Sequence, residues 1–130
     1  MADVGADLAV RPDSAPRILT VAPQSETTAR GPVFGGWILS QLDHGAGLAG
    51  RKISGGDVVI AALKEVQFHA PLYGGEEFAL HADLSRRGNS SFNLAISAWA
   101  EPDGACRRIL SADVLLVAID EAGKPRKLPA

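Results

Sequence analysis

The chain has 130 residues, a formal net charge of −2 and one cysteine, and 46% of it is hydrophobic although only 5% is aromatic. That length fits one domain with a real core. The lone Cys106 excludes a disulfide scaffold or a thiolate zinc cluster, and the near-zero charge leaves no electrostatic footprint for nucleic acid. With 21 Ala and 14 Gly, much of the apolar fraction is small side chain, so some of the burial is expected to come from a partner subunit. No stretch approaches the length of a membrane-spanning helix, and the first eleven residues carry Asp3 and Asp7 rather than the basic and apolar regions of a signal peptide. A cytoplasmic protein with no membrane or nucleic-acid partner is the expectation.

In chain order, residues 1–16 read as a flexible N-terminal arm without periodicity. Arg17 to Ala22 is a short apolar run, the first strand. Pro23 to Pro32 is polar and ends in Arg30-Gly31-Pro32, a loop. Phe34 to about Ile53 suits one long helix, with Leu39, Leu42, Ala46, Ala49 and Ile53 along one face. Ser54-Gly55-Gly56-Asp57 stops it. The remainder has a period of two. Val58 to His69 is a strand, with Lys64, Val66 and Phe68 set against Glu65, Gln67 and His69. A turn at Pro71 and Gly74-Gly75 leads to a strand with Phe78, Leu80, Ala82 and Leu84 inward and His81 outward. Arg86-Arg87-Gly88-Asn89 is a hairpin turn. Phe92, Leu94, Ile96 and Ala98 face inward on the next strand, with Asn93, Ser97 and Trp99 opposite. Pro102-Asp103-Gly104 then turns into a last strand, Arg107 to Ile119, and residues 121–130 form a frayed C-terminal tail. The folded domain is thus 17–120, and its class is α+β: one helix covering one face of an antiparallel sheet of about five strands. The pattern leaves the strand order open.

The helix carries an unusual face. Gly36, Ser40, Asp43, Gly47 and Gly50 recur at steps of four, three, four and three. A glycine inside a helix costs roughly 1 kcal/mol relative to Ala, so close packing or close approach is expected there. A carboxylate amid such residues is not explained by packing alone. At the helix start, Gly35 and Gly36 offer N–H groups that lack an intrahelical partner and carry no side chain to obstruct a ligand oxygen. Gly35 and Asp43 stand roughly 12 Å apart along the axis. If they act on one atom, Asp43 must come from one subunit and the glycine donor from its neighbour. The turn Arg86-Arg87-Gly88-Asn89-Ser90-Ser91 is the best anion patch, reading otherwise as an ordinary solvated hairpin. His44 points about 100° from Asp43. His69 and His81 read as solvated, without a metal-ligand partner. Cys106 beside Arg107 and Arg108 has no nearby histidine to activate it.

The run Gly31-Pro32-Val33-Phe34-Gly35-Gly36-Trp37-Ile38-Leu39-Ser40-Gln41-Leu42-Asp43 resembles the helix motif of the hotdog-fold acyl-CoA thioesterases, the YciA-type bacterial acyl-CoA hydrolases. Phe68-His69-Ala70-Pro71, Gly88-Asn89-Ser90-Ser91 and Ala118-Ile119-Asp120-Glu121 are similar to further motifs of that family in register, so that the likeness spans about 17–128. The resemblance implies a long helix wrapped by a curved sheet, homodimers whose sheets join, and often hexamers built as trimers of dimers. It implies an acyl-CoA substrate and no metal or other cofactor. Asp43 would be general base or nucleophile, the N–H of Gly35 or Gly36 would form the oxyanion hole, and Arg86 through Ser91 would hold the CoA portion. Two departures stand out: Arg30-Gly31-Pro32 replaces the family's Asn-Gly-Asp, and Asn89 replaces its turn arginine. A non-catalytic acyl-CoA sensor on the same fold is the alternative, distinguished by binding without turnover. A hydratase would need an Asp and a His poised together, which adjacent Asp43 and His44 on one helix do not provide.

Overall fold

The computed structural model describes residues 10–102 and 105–130; the turn expected at Asp103-Gly104 and most of the arm, 1–9, lie outside them. The single long helix, α1, runs Gly35–Ser54. Its buried residues include Ile38, Leu42, Ala46 and Ala49, with Leu39 and Ile53 partly buried beside them, a stripe at helical spacing. It ends at Gly55, whose φ of 78° lies in the left-handed region and whose N–H donates to the Arg51 carbonyl at 2.8 Å; glycine takes that conformation without a Cβ penalty.

Five strands form one antiparallel sheet: β1 (Ile18–Val21), β2 (Val58–Phe68), β3 (Glu77–Arg87), β4 (Ser91–Ala100) and β5 (Arg107–Ala118), in the order β1-β3-β4-β5-β2. The consecutive strands β3, β4 and β5 pair as neighbours through short connections, while β1 and β2, which flank the helix in sequence, take the two outer edges. The expected turn is shorter than the sequence suggested, because Arg86 and Arg87 still pair with β4.

The period along β2 is broken. Register shifts fall between Ile60 and Ala62 and between Lys64 and Gln67, and Glu65 has a φ of 51°. An extra residue at a bulge reverses which side chains face which way. Lys64 therefore joins Glu65, Gln67 and His69 on the outer side, along a cleft there, while Val66 packs on the core and Phe68 meets the helix. The strict alternation expected for this strand is corrected accordingly.

The main core lies between helix and sheet. Phe78, Leu80, Phe92, Leu94, Leu110, Val114 and Leu116 are fully buried against the helix stripe, each such side chain contributing on the order of 1.5–3 kcal/mol. Two helix glycines make the approach close. A Cβ on Gly45 would lie 2.4 Å from Leu80 Cδ2, and one on Gly50 would lie 3.0 Å from Leu116 and Val58.

The outer face of the sheet is covered at one end. His81, expected to be solvated, is 1% exposed, and Trp99 on the neighbouring strand is buried too. The segment before β1 lies over it: Arg11 Nε donates to His81 Nε2 at 3.0 Å, Arg11 also pairs with Glu101, and Ser14 bonds Asp83 at 3.1 Å. The alternation of β3 does not reveal this burial, because the Arg11 that covers His81 lies 70 positions away in sequence. The segment after β5 is likewise seated, with Leu128 only 6% exposed and part of the core, so the tail is not frayed.

Candidate active site

The start of α1 is open. Phe34 has extended backbone (φ −57°, ψ 137°) and no side chain caps the first turn, which also contains no acidic residue. Among the described residues, the N–H groups of Gly35 and Gly36 have no backbone acceptor. Such donors at the positive end of a helix suit an oxyanion. Nothing lies within 4 Å of where a Gly36 Cβ would be, whereas a Gly35 Cβ would contact the Phe68 ring at 3.5 Å. Gly35 and Phe68 line a cleft of about 460 Å³ with Val33, Ile38, Ala70 and Leu72. Apolar walls around a few backbone donors are the usual composition of a small-molecule site. Phe68 was not singled out from the sequence as a site residue. Its exposure, 51% at the end of a strand, is seen only in the folded chain, where it lines the cleft beside Gly35.

Asp43 sits two turns further along. It is exposed and takes part in none of the hydrogen bonds or ion pairs among the described residues. Gly36 and Gly47, on the same face, have no neighbour within 4 Å of a Cβ, and Ser40 turns its hydroxyl back to the Trp37 carbonyl at 2.6 Å. Gly50 departs from the expected set because it packs on the sheet. The face is thus an open flank at three of its four small residues, carrying a carboxylate that has no partner among the described residues.

The third element is the β3–β4 hairpin, closed by a bond from Gly88 N–H to the Ser91 carbonyl at 2.7 Å. Its two arginines part ways, as neighbours on a strand must. Arg86 lies on the outer side, where its Nε donates to Asn93 Oδ1 at 2.5 Å and its Nη2 to Ser91 Oγ at 3.1 Å. Asn93 in turn donates to Asp113 at 3.1 Å. Arg87 instead bonds the Pro129 carbonyl. The two guanidinium groups are not brought together within one protomer.

Nor are the three elements. The hairpin lies at the C-terminal end of α1, where Phe92 stands 3.4 Å from the Gly50 Cβ position and the Ser90 carbonyl accepts from Ala118 N–H at 2.9 Å. Gly35 is at the other end of a helix about 28 Å long. A larger cleft, about 940 Å³, lies on the outer face of the sheet and includes none of Gly35, Gly36 or Asp43. It holds His69, whose Nε2 is 2.7 Å from Ser111 Oγ and whose pKa is lowered first by burial and then by the charge of Arg108. Cys106 is exposed, and burial followed by the charge of Glu101 raises its thiol pKa, the reverse of activation. Among the described residues no three His, Cys, Asp or Glu side chains converge on a possible metal position, and no helix is long and apolar enough to cross a membrane.

Comparison with known proteins agrees with this architecture. The family profile of the thioesterase superfamily matches residues 30–107. The acyl-CoA thioester hydrolase YciA of Salmonella typhimurium is 34% identical over 115 residues, covering 85% of this chain and 86% of that protein. A hexameric thioesterase from Yersinia pestis superposes with a TM-score of 0.88 at 32% identity, over 93% of this chain and 100% of that one. A hexameric hotdog fold thioesterase of Campylobacter jejuni does so with a TM-score of 0.84 at 29% identity, over 92% and 93%. A helix wrapped by five antiparallel strands in the hotdog arrangement, with this extent of sequence identity along its length, makes the chain a member of the thioesterase superfamily, among the YciA-type acyl-CoA thioester hydrolases.

Proposed function

We propose that the protein hydrolyses the thioester of acyl-CoA to a free carboxylic acid and CoA, in a site shared between two subunits of a homodimer that assembles further into a hexamer. The observation that carries this reading is the flank of α1: among the described residues, Asp43 stands unpaired beside Gly36, Ser40 and Gly47, with unsatisfied N–H donors at the helix start too far away to share an atom with it. Two antiparallel helices lying flank to flank would set Asp43 of one subunit against Gly35 or Gly36 of the partner subunit. The relatives that are named hexameric thioesterases and acyl-CoA hydrolases support the assembly and the substrate.

In the proposed reaction the thioester carbonyl oxygen rests on the glycine N–H donors. Asp43 acts as general base, taking a proton from the attacking water, or as nucleophile at the carbonyl carbon. The tetrahedral oxyanion gains its hydrogen bonds where the charge develops, an arrangement worth about 3 kcal/mol per donor in comparable sites. On the general-base route Asp43 returns its proton to the departing sulfur, so that C–S cleavage gives the CoA thiol and the carboxylic acid. On the nucleophilic route C–S cleavage leaves the acyl group on Asp43 as a mixed anhydride, which water then hydrolyses to the acid. No metal or redox group takes part in this scheme. The β3–β4 hairpin, Gly88 through Ser91 with Arg86 and Arg87, is assigned to the CoA portion. Arg86 already spends donors on Asn93 and Ser91, which makes Arg87 the freer of the two for a phosphate.

Free-thiol release from a panel of acyl-CoA esters tests the reading. Turnover by the parent protein, reduced about a thousandfold in Asp43→Asn, is the expected result. CoA-ester binding with no turnover in the parent would instead establish the sensor.

A further inference from the structure

Residues 119–130 tie three separate parts of the molecule together. After β5 the chain turns at Asp120, whose Oδ1 accepts from the N–H groups of Ala122 and Lys124, both at 2.9 Å, with Gly123 at a φ of 80°. It then runs back on itself. Ile119 bridges Pro125, and Arg126 N–H donates to the Ala118 carbonyl at 2.9 Å. The Arg126 guanidinium reaches the end of α1, donating to the Ser54 carbonyl at 3.1 Å and to the Ile119 carbonyl at 3.0 Å. A cation there satisfies one of the orphan carbonyls of the helix end. The fit is close, since a Cβ on Gly56 would come within 2.7 Å of Arg126 Nη2. Leu128 is buried in the core, and its N–H donates to the Asn89 carbonyl at 2.9 Å. Pro129 supplies the carbonyl that holds Arg87.

The tip Gly88-Asn89-Ser90 is made of residues with high backbone freedom or turn preference. Without the later segment, its ties would be the hairpin bond and the Ala118 bond to Ser90. Ordering such a tip on binding a ligand costs affinity, and ordering it during folding removes that cost. The Pro129 carbonyl occupies one of the five N–H donors of Arg87 and leaves the others for an anion. Lys127 is exposed and precedes Leu128, the residue whose N–H is bonded to Asn89.

We propose that residues 119–130 are a strap that positions the β3–β4 hairpin for the phosphorylated end of CoA, with Lys127 contributing directly to phosphate binding. This inference rests on the assignment of the hairpin to CoA made above. The strap acts on the part of the substrate far from the reacting carbon, so it affects affinity for CoA esters and leaves the chemical step alone.

The test compares an acyl-CoA with the N-acetylcysteamine thioester of the same acyl group, which lacks every phosphate. Both are assayed with the parent chain, a chain lacking residues 125–130, Leu128→Ala and Lys127→Ala. The expected result is a KM for acyl-CoA raised about tenfold by the deletion and by Leu128→Ala, and about threefold by Lys127→Ala. The kcat stays within about twofold of the parent, and the kinetics with the short thioester are unchanged. Where the deletion impairs folding, the two point variants, checked for parental circular dichroism, carry the test. Unchanged KM for acyl-CoA, or equal changes for both esters, overturns the strap while leaving the hydrolase reading intact. A parent chain that cleaves neither ester overturns the hydrolase reading and the strap with it.

Discussion

The two ends of the long helix are built from the same kinds of residue and end in opposite states. Toward the C-terminus, Gly50, Ser54 and Gly56 are in contact with Leu116, Val58 and Arg126, and a Cβ added to either glycine would find its space taken. Along the flank from Gly36 to Gly47, Gly36, Ser40 and Gly47 instead face open space beside Asp43, which has no partner among the described residues. Glycine and serine at helical spacing therefore mark closeness in one place and access in the other. What separates the two cases is the neighbouring chain, which lies far away in sequence. The lesson is that a small-residue face is a feature to be interpreted by what comes next to it.

The largest effect is expected at the open end. Asp43→Asn should lower kcat about a thousandfold while the melting temperature stays at the parental value, because among the described residues the carboxylate has no partner whose loss would cost stability. A melting temperature that fell with activity would make Asp43 a structural residue and end the contrast. At the closed end the reverse holds. Gly50→Val forces methyl groups into side chains already 3.0 Å from the Cβ position and should cost about 2 kcal/mol of unfolding free energy in a denaturant titration.

The outer face of the sheet offers a smaller version of the same contrast, between His81 under Arg11 and the exposed His69. Burial lowers the pKa of His81 from its ordinary 6.5, the charge of Arg11 lowers it further, and Asp83 opposes both. Arg11 Nε donates to His81 Nε2, so that nitrogen must be unprotonated in the fold. Below pH 6.5 the unfolded chain therefore binds a proton that the folded chain does not. The contribution of His81 is complete above that value and is lost as pH falls through 6.5 toward the lowered pKa. Unfolding measured from pH 7.5 to about 5 should show this decline, flattened by His81→Gln and flattened less by His69→Gln. The smallest effect is expected from Gly47→Ala. Among the described residues outside the adjoining helix backbone, a methyl group there meets nothing within 4 Å, so helix propensity should raise protomer stability by up to about 1 kcal/mol. Weaker assembly of that variant in sedimentation would place a partner helix in contact at Gly47.

Much of the architecture was legible because it depends on short-range patterns. The apolar stripe from Leu39 to Ile53 predicted α1 nearly to the residue. The alternations after Val58 predicted the four later strands, since periods of 3.6 and two are properties of the local backbone. The readings that failed were those set by contacts distant in sequence. His81 was placed in solvent because nothing near it announces Arg11. The facing of Lys64 was inverted by a bulge at Glu65. The last ten residues were read as frayed because Arg126 and Leu128 find their partners at Ser54 and Asn89.

The candidate site divides along the same line. Gly35, Gly36 and Asp43 were legible together because one helix carries them, and its geometry sets their spacing and their separation by two turns. The sequence by itself thus determined the fold class, the helix with its marked face, and the need for a second subunit if those groups are to cooperate. The tertiary structure alone decided the strand order, the division of the helix face into open positions and a packed one at Gly50, the parting of Arg86 from Arg87, and the seating of residues 119–130 on the hairpin. These depend on which distant segments meet, and such pairings are selected by the packing of the whole core rather than by the preferences of any one stretch of chain.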